Sequence, residues 1–104
     1  MDRGEVWWAE LAPPVGRRPV LILTRSGAVP VRNQVVVAQI TRTVHGIASE
    51  VPLARGDGMH MDCVVNCDVL LTVDKSRFVR RITALSPRKM DDVHAALRFA
   101  LQLP

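Results

Sequence analysis

The sequence predicts a mainly β fold finished by one C-terminal α-helix, a small curved sheet or half-open barrel in a single domain spanning residues 1–104. Three observations predict it. Short runs of β-branched and apolar residues recur from Glu5 to Leu85, and each is cut off by proline, glycine or asparagine in turn chemistry. Ser86-Pro87 then opens a stretch whose apolar residues recur at helical spacing. At 104 residues, 48% of them apolar, the chain can bury one modest core, and no repeat or linker divides it.

The first strand is Arg3 to Leu11, with Val6 and Trp8 on one face and Glu5, Trp7 and Ala9 on the other. Pro13-Pro14-Val15-Gly16 stops it, because consecutive prolines cannot donate to a ladder. Strand two, Val20 to Leu23, is continuously apolar and predicts burial on both faces, with Arg18 at the end of the preceding loop, just before Pro19. Thr24 to Gln34, carrying Gly27, Pro30 and Asn33, reads as a loop, and Val35 to Ile40 as a third strand ending at Thr41. Ser49 to Leu53 is a fourth strand, followed by a turn at Arg55-Gly56-Asp57-Gly58. Cys63 to Val65 and Val69 to Val73 read as a strand pair or one bent strand, interrupted by Asn66 and Asp68. Lys75-Ser76-Arg77 is a basic turn before the last strand, Phe78 to Leu85.

Ser86 is a good N-cap and Pro87 suits the first helical position. Asp91 and Asp92 lie toward the positive end of the helix dipole. Met90, Val93, Leu97, Ala100 and Leu101 form the stripe expected to pack on the sheet.

Charge is the strongest functional signal. Between Leu11 and Ser49 stand Arg17, Arg18, Arg25, Arg32 and Arg42 without a single Asp or Glu. Such a run focuses polyanions, so Gly16 to Thr41 reads as a phosphate site. The net charge of +4 agrees, although a basic balance alone suits nucleic acid, membrane surface and acidic protein equally. No apolar run approaches the roughly 20 residues that span a bilayer. The charged start Met1-Asp2-Arg3-Gly4-Glu5 is unlike a secretory signal, and a cytosolic protein with no membrane partner is expected.

Several chemistries are disfavoured. The ten acids fall mostly in turns or at the helix start, a poor basis for two-metal phosphodiester cleavage, and serine-hydrolase and P-loop signatures are absent. Cys63 and Cys67 lie about 13 Å apart if extended, too far for a disulfide and without zinc spacing. They read as buried thiols, and the scattered His45, His60 and His94 predict no metal site or cofactor. What remains is a reaction on a phosphate driven by arginine.

Taken together, RGEVWWAEL, PPVGRRPVLIL, VVVAQITRTV, SEVPL, DCVVNCDVLLTVDKSR and LSPRKMDDVHAALRFAL resemble, in order and over essentially the whole chain, the MazF/PemK family of toxin endoribonucleases from type II toxin-antitoxin modules. The resemblance implies an SH3-like barrel, a homodimer and metal-independent, sequence-specific cleavage of single-stranded RNA. It also implies a cognate MazE-like antitoxin with an acidic, disordered tail. The family's catalytic arginine falls on Arg18 and its threonine on Thr41. A guanidinium can meet two oxygens of a five-coordinate phosphorus, and a threonine can orient the phosphate or the 2′-hydroxyl.

Gly16, Arg17, Gln39, Arg42 and Arg77 are taken as RNA contacts, with plain solubility the rival reading for the three arginines. His45 and His60 are loop candidates for a general acid. Many relatives carry a longer loop ahead of the arginine, often with a glutamate and a glutamine, where only Gly16-Arg17 follows Val15 here. Two other classes stand beside the ribonuclease: a CcdB-like toxin that binds and poisons DNA gyrase, and a plain RNA-binding module.

Overall fold

Antiparallel pairing organises everything ahead of the helix. The computed structural model describes Met1–Pro104 and contains β1 (Glu5–Glu10), β2 (Arg17–Ile22), β3 (Gln34–Thr41), β4 (Glu50–Leu53), β5 (Cys63–Asp74), β6 (Phe78–Ala84) and α1 (Pro87–Ala100). Single 3₁₀ turns at Arg55–Asp57 and Lys75–Arg77 punctuate the second half. The strands form one six-stranded sheet in the order β4-β5-β3-β2-β1-β6, every neighbouring pair antiparallel. It curls into a half-barrel, and the curl sets the 55–58 turn against β6, where the Thr83 hydroxyl donates to the Asp57 carbonyl at 3.2 Å. No helix is long and apolar enough to cross a membrane.

Period-2 alternation puts side chains on both faces, and both faces carry core. Leu21 joins Val6, Ile40, Leu53, Val65 and Val93 in the larger cluster, beneath α1. Its neighbours Val20 and Ile22 point the other way, into a smaller cluster with Val29, Val35 and Val37 that Trp7 and Phe78 flank. All three β2 residues are completely buried, as the unbroken apolar run predicts. Val29 comes from the 24–33 loop, which folds back over that face. Trp7 and Phe78 meet edge to face at 6.2 Å.

Local readings in β2 and α1 need correction, and the alternative left open at β5 is decided in favour of one bent strand. β2 starts at Arg17, because the β1 ladder continues through Ala9↔Arg18 to Glu10↔Arg17 and Leu11 N–H closes the hairpin on the Gly16 carbonyl at 3.0 Å. Arg18 is therefore a strand residue, ahead of Pro19 but already paired. The second half of the sheet contains one long β5 with a bulge. Register passes from Ala38↔Leu70 to Gln39↔Asn66, leaving Cys67, Asp68 and Val69 without partners on β3. Cys67 N–H turns instead to the Ser49 carbonyl at 2.9 Å, and the Ser49 hydroxyl donates to Asp68, so the bulge is anchored toward β4. On α1 the buried residues are Met90, Val93 and Ala96, with Leu97 and Ala100 packed partly against them. Leu101 is the C-cap and is half exposed, since the helix ends one residue before it. Asp91 and Asp92 lie past the first turn, beyond the strongest pull of the dipole.

The helix start follows its sequence signature. Ser86 Oγ accepts the Lys89 N–H at 3.1 Å, with Pro87 next to it in the first turn. Ser86→Ala is expected to cost about 1 kcal/mol. Thermal unfolding should register this as a midpoint lower by about 4 to 8 °C, a spread set by domain size.

Candidate active site

Curling the sheet brings the β2 start, the β3 end and the β4–β5 connection around one cleft of about 770 Å³. Its apolar lining comes from Trp8 on β1, Ile40 on β3, Cys63 on β5 and Ile82 on β6. Its cationic side carries Arg17 and Arg18 from β2 and Arg42 just past β3, with Thr41 and Thr43 between them in sequence. Met59, His60 and Met61 form the remaining wall. No carboxylate lines the cleft, and no three His, Cys, Asp or Glu side chains converge anywhere as a metal cluster.

The three arginines differ in what already holds them. Arg17 gives both Nε and Nη2 to one oxygen of Glu10 at 2.7 Å, so part of its charge is spent on its hairpin partner. Arg42 Nη1 lies 3.1 Å from the Met61 sulfur. Arg18 makes one hydrogen bond, from Nη1 to the Arg17 carbonyl at 2.9 Å, and has no carboxylate partner. Its backbone is fixed in the β1–β2 ladder while its guanidinium stays exposed. Thr41 Oγ1 accepts the Thr43 N–H at 3.2 Å, which orients the hydroxyl where β3 leaves the sheet.

Of the sequence-predicted residues, Arg17, Arg18, Thr41 and Arg42 meet at this cleft. Gly16, Gln39 and Arg77 do not line it. Gly16 supplies a positive φ of 71° in the β1–β2 hairpin. Gln39 is half-buried in the middle of the sheet opposite Val20 and Asn66. Arg77 sits in the second 3₁₀ turn. There Asp74 is held below the usual carboxylate range by the N–H and hydroxyl of Ser76, with the Arg77 charge a lesser cause.

His45 also lies outside the cleft; its N–H and that of Gly46 each donate to the nearly buried Glu50 carboxylate at 2.9 Å. His60 does line the cleft, and with Met59 and Met61 it makes the wall that sequence reasoning did not assemble. The available signal was Gly58. Its φ of 93° ends the 3₁₀ turn and redirects the chain, and Asp57 braces the turn by accepting the Ala54 N–H at 2.9 Å.

Elsewhere, burial pushes the Glu5 carboxyl up, but hydrogen bonds from Trp7 and the Asp2 N–H, the N-terminal charge and Arg81 together bring it below its ordinary value. Both cysteines are free and buried. Burial, with a smaller push from Asp68, raises the Cys67 thiol to about 11, and burial likewise raises Cys63, aided by Asp62 and Asp57. Since only the thiolate attacks, iodoacetamide at pH 8 should label Cys67 far more slowly in the native protein than in denaturant. Peptide mapping by mass spectrometry reads the difference.

This architecture has known counterparts. Residues 2–101 match the PemK-like, MazF-like toxins of type II toxin-antitoxin systems. The chain is 43% identical over 99 residues to the probable endoribonuclease MazF2 of Mycobacterium tuberculosis strain H37Rv, covering 94% of this chain and 95% of that protein. It superposes on the Mycobacterium tuberculosis toxin MazF-mt6 with a TM-score of 0.89 at 35% identity, over 96% of this chain and 98% of the other. An endoribonuclease in complex with its cognate antitoxin, from a mycobacterial species, gives 0.89 at 26% identity over 100% and 97%. Matched almost end to end in sequence and in fold, the chain belongs to the PemK-like, MazF-like toxins of type II toxin-antitoxin systems.

Proposed function

We propose that the protein is a sequence-specific endoribonuclease that cuts single-stranded RNA without a metal, in the cytoplasm, and so halts translation and growth. One observation carries the reading: Arg18, a guanidinium with no carboxylate partner, and Thr41, an oriented hydroxyl, line the same cleft. In this mechanism the 2′-oxygen attacks the adjacent phosphorus and charge accumulates on the non-bridging oxygens. Arg18 meets two of them through a fork of N–H groups, and Thr41 orients the phosphate or the 2′-hydroxyl. The products carry 2′,3′-cyclic phosphate and 5′-hydroxyl ends. A cleft lined by arginines and no carboxylate favours cationic stabilisation over metal ligation.

The remaining partners follow from the family. A homodimer with a MazE-like antitoxin is proposed, the antitoxin's acidic tail meeting the charge of Arg17, Arg18 and Arg42. The relatives above are named as endoribonucleases or toxins, and nothing among them favours the gyrase-binding alternative. The test is incubation of antitoxin-free protein with mixed single-stranded RNA in EDTA, followed by mapping of the cut ends. Cuts at one short motif with cyclic-phosphate ends are expected. Absence of cleavage by a folded sample would sink the reading.

A further inference from the structure

Breaking the P–O5′ bond leaves an alkoxide unless a proton reaches it, so a transesterification of this kind gains from a positioned acid. The cleft restricts who can supply that proton. It contains no Asp, Glu, Lys or Tyr. Arginine holds its protons at any working pH, and a threonine hydroxyl or an indole N–H does not give its proton up. Cys63 is almost fully buried, its thiol pushed up by burial and by the charges of Asp62 and Asp57. The one other proton-bearing group is His60, an imidazole, the side-chain class that gains and loses a proton near neutrality.

Its placement suits the task. His60 is exposed on the Met59–Met61 wall, across the same cleft that Arg18 and Thr41 line. The wall is held from both ends. Behind it stands the Asp57-braced turn, itself tied to α1 by Lys89 at 3.8 Å, and ahead of it Met61 lies against Arg42. Arg17, Arg18 and Arg42 are the charged groups that share the cleft with the imidazole, and Asp62 is exposed two residues along.

We propose that His60 is the general acid of the cleavage, a role that rests on the ribonuclease reading above. In the step, the 2′-oxygen forms a bond to phosphorus and its proton passes to water. The P–O5′ bond breaks, its electron pair stays on O5′, and O5′ takes the proton from a ring nitrogen of the His60 imidazolium. The neutral imidazole is then reprotonated from solvent. No metal or redox partner enters.

A leaving group that needs no proton isolates this role. Wild type, His60→Ala and Arg18→Ala are compared on an RNA oligonucleotide with one cleavable linkage, made with either the natural 5′-oxygen or a bridging 5′-sulfur. On the oxygen substrate His60→Ala should be about 10²- to 10³-fold slower than wild type, in the range usual for losing a general acid. On the sulfur substrate it should cleave within a few fold of wild type, because a thiolate departs unaided, while Arg18→Ala stays slow on both.

A normal rate for His60→Ala on the oxygen substrate, or a defect that sulfur does not relieve, overturns the assignment and leaves the ribonuclease reading standing. Wild-type protein inert on both substrates overturns the two together. The exposed site lets His60→Ala fold, and an unchanged melting midpoint verifies it.

Discussion

Arg18→Ala will slow RNA cleavage by about two to three orders of magnitude, the loss usual for one preorganised donor to a transition state. The melting midpoint should hardly move. The side chain is exposed and gives a single hydrogen bond to its neighbour's carbonyl, while the β1–β2 ladder fixes its backbone whatever it carries. Arg18→Lys should fail almost as badly, because an ammonium offers a point charge where the phosphorane presents two oxygens. Arg17→Ala is the informative contrast. Its guanidinium is already committed to Glu10, so its loss should weaken RNA binding and the salt slope more than the chemical step. Near-normal turnover by Arg18→Ala would remove the mechanism; a coincident collapse in stability would show that the residue belongs to the scaffold.

Gly58→Ala is expected to be the most damaging single-methyl change in the chain. The residue has φ of 93°, where an L side chain costs about 1 to 2 kcal/mol. The added Cβ would also overlap the Thr83 side chain on β6, whose hydroxyl already donates to the Asp57 carbonyl of the same turn. Overpacking of that kind costs a further 1 to 3 kcal/mol or so. Together they predict a loss of about 2 to 5 kcal/mol, a large share of the 5 to 15 kcal/mol that holds a typical domain together.

Function should suffer as well, because the turn carries Met59, His60 and Met61 into the cleft. Chemical denaturation and cleavage measured on one preparation separate the two effects. A Gly58→Ala protein as stable as its parent would mean that the turn relaxes freely. Gly46→Ala is a natural control: it also has a positive φ, but a Cβ there meets nothing within 4 Å.

What could be read from sequence was local. The Ser86-Pro87 start of α1, the alternation in β1 and the double burial of β2 each depend on residues within a turn or a strand of one another, and each is present. What could not be read depends on partners remote in the chain. Pro19 suggested the beginning of β2, yet pairing of Arg17 with Glu10 extends the strand backward across it. Asn66 and Asp68 left a strand pair and one bent strand both open, and only the bulge tethered to Ser49 decides for the bent strand. Leu101 had the right spacing but lies just past the last helical residue.

The candidate site divides in the same way. That Arg18 and Thr41 would come together was legible from the charge run, the strand ends and the family resemblance taken together, and both line one cleft. The Met59–Met61 wall was not, because only the curl of the sheet carries it to Arg18.

The two borders of the sheet are unequal. On β4, Pro52 has no N–H to offer and its carbonyl already accepts Lys89 Nζ at 3.1 Å, so that border is chemically blunt. On β6 the outer main-chain groups have no strand beside them, with Arg80 and Arg81 on the same strand. Sheet-to-sheet growth needs both borders at once, and the proline and the engaged carbonyl on β4 discourage it there even where β6 stays open.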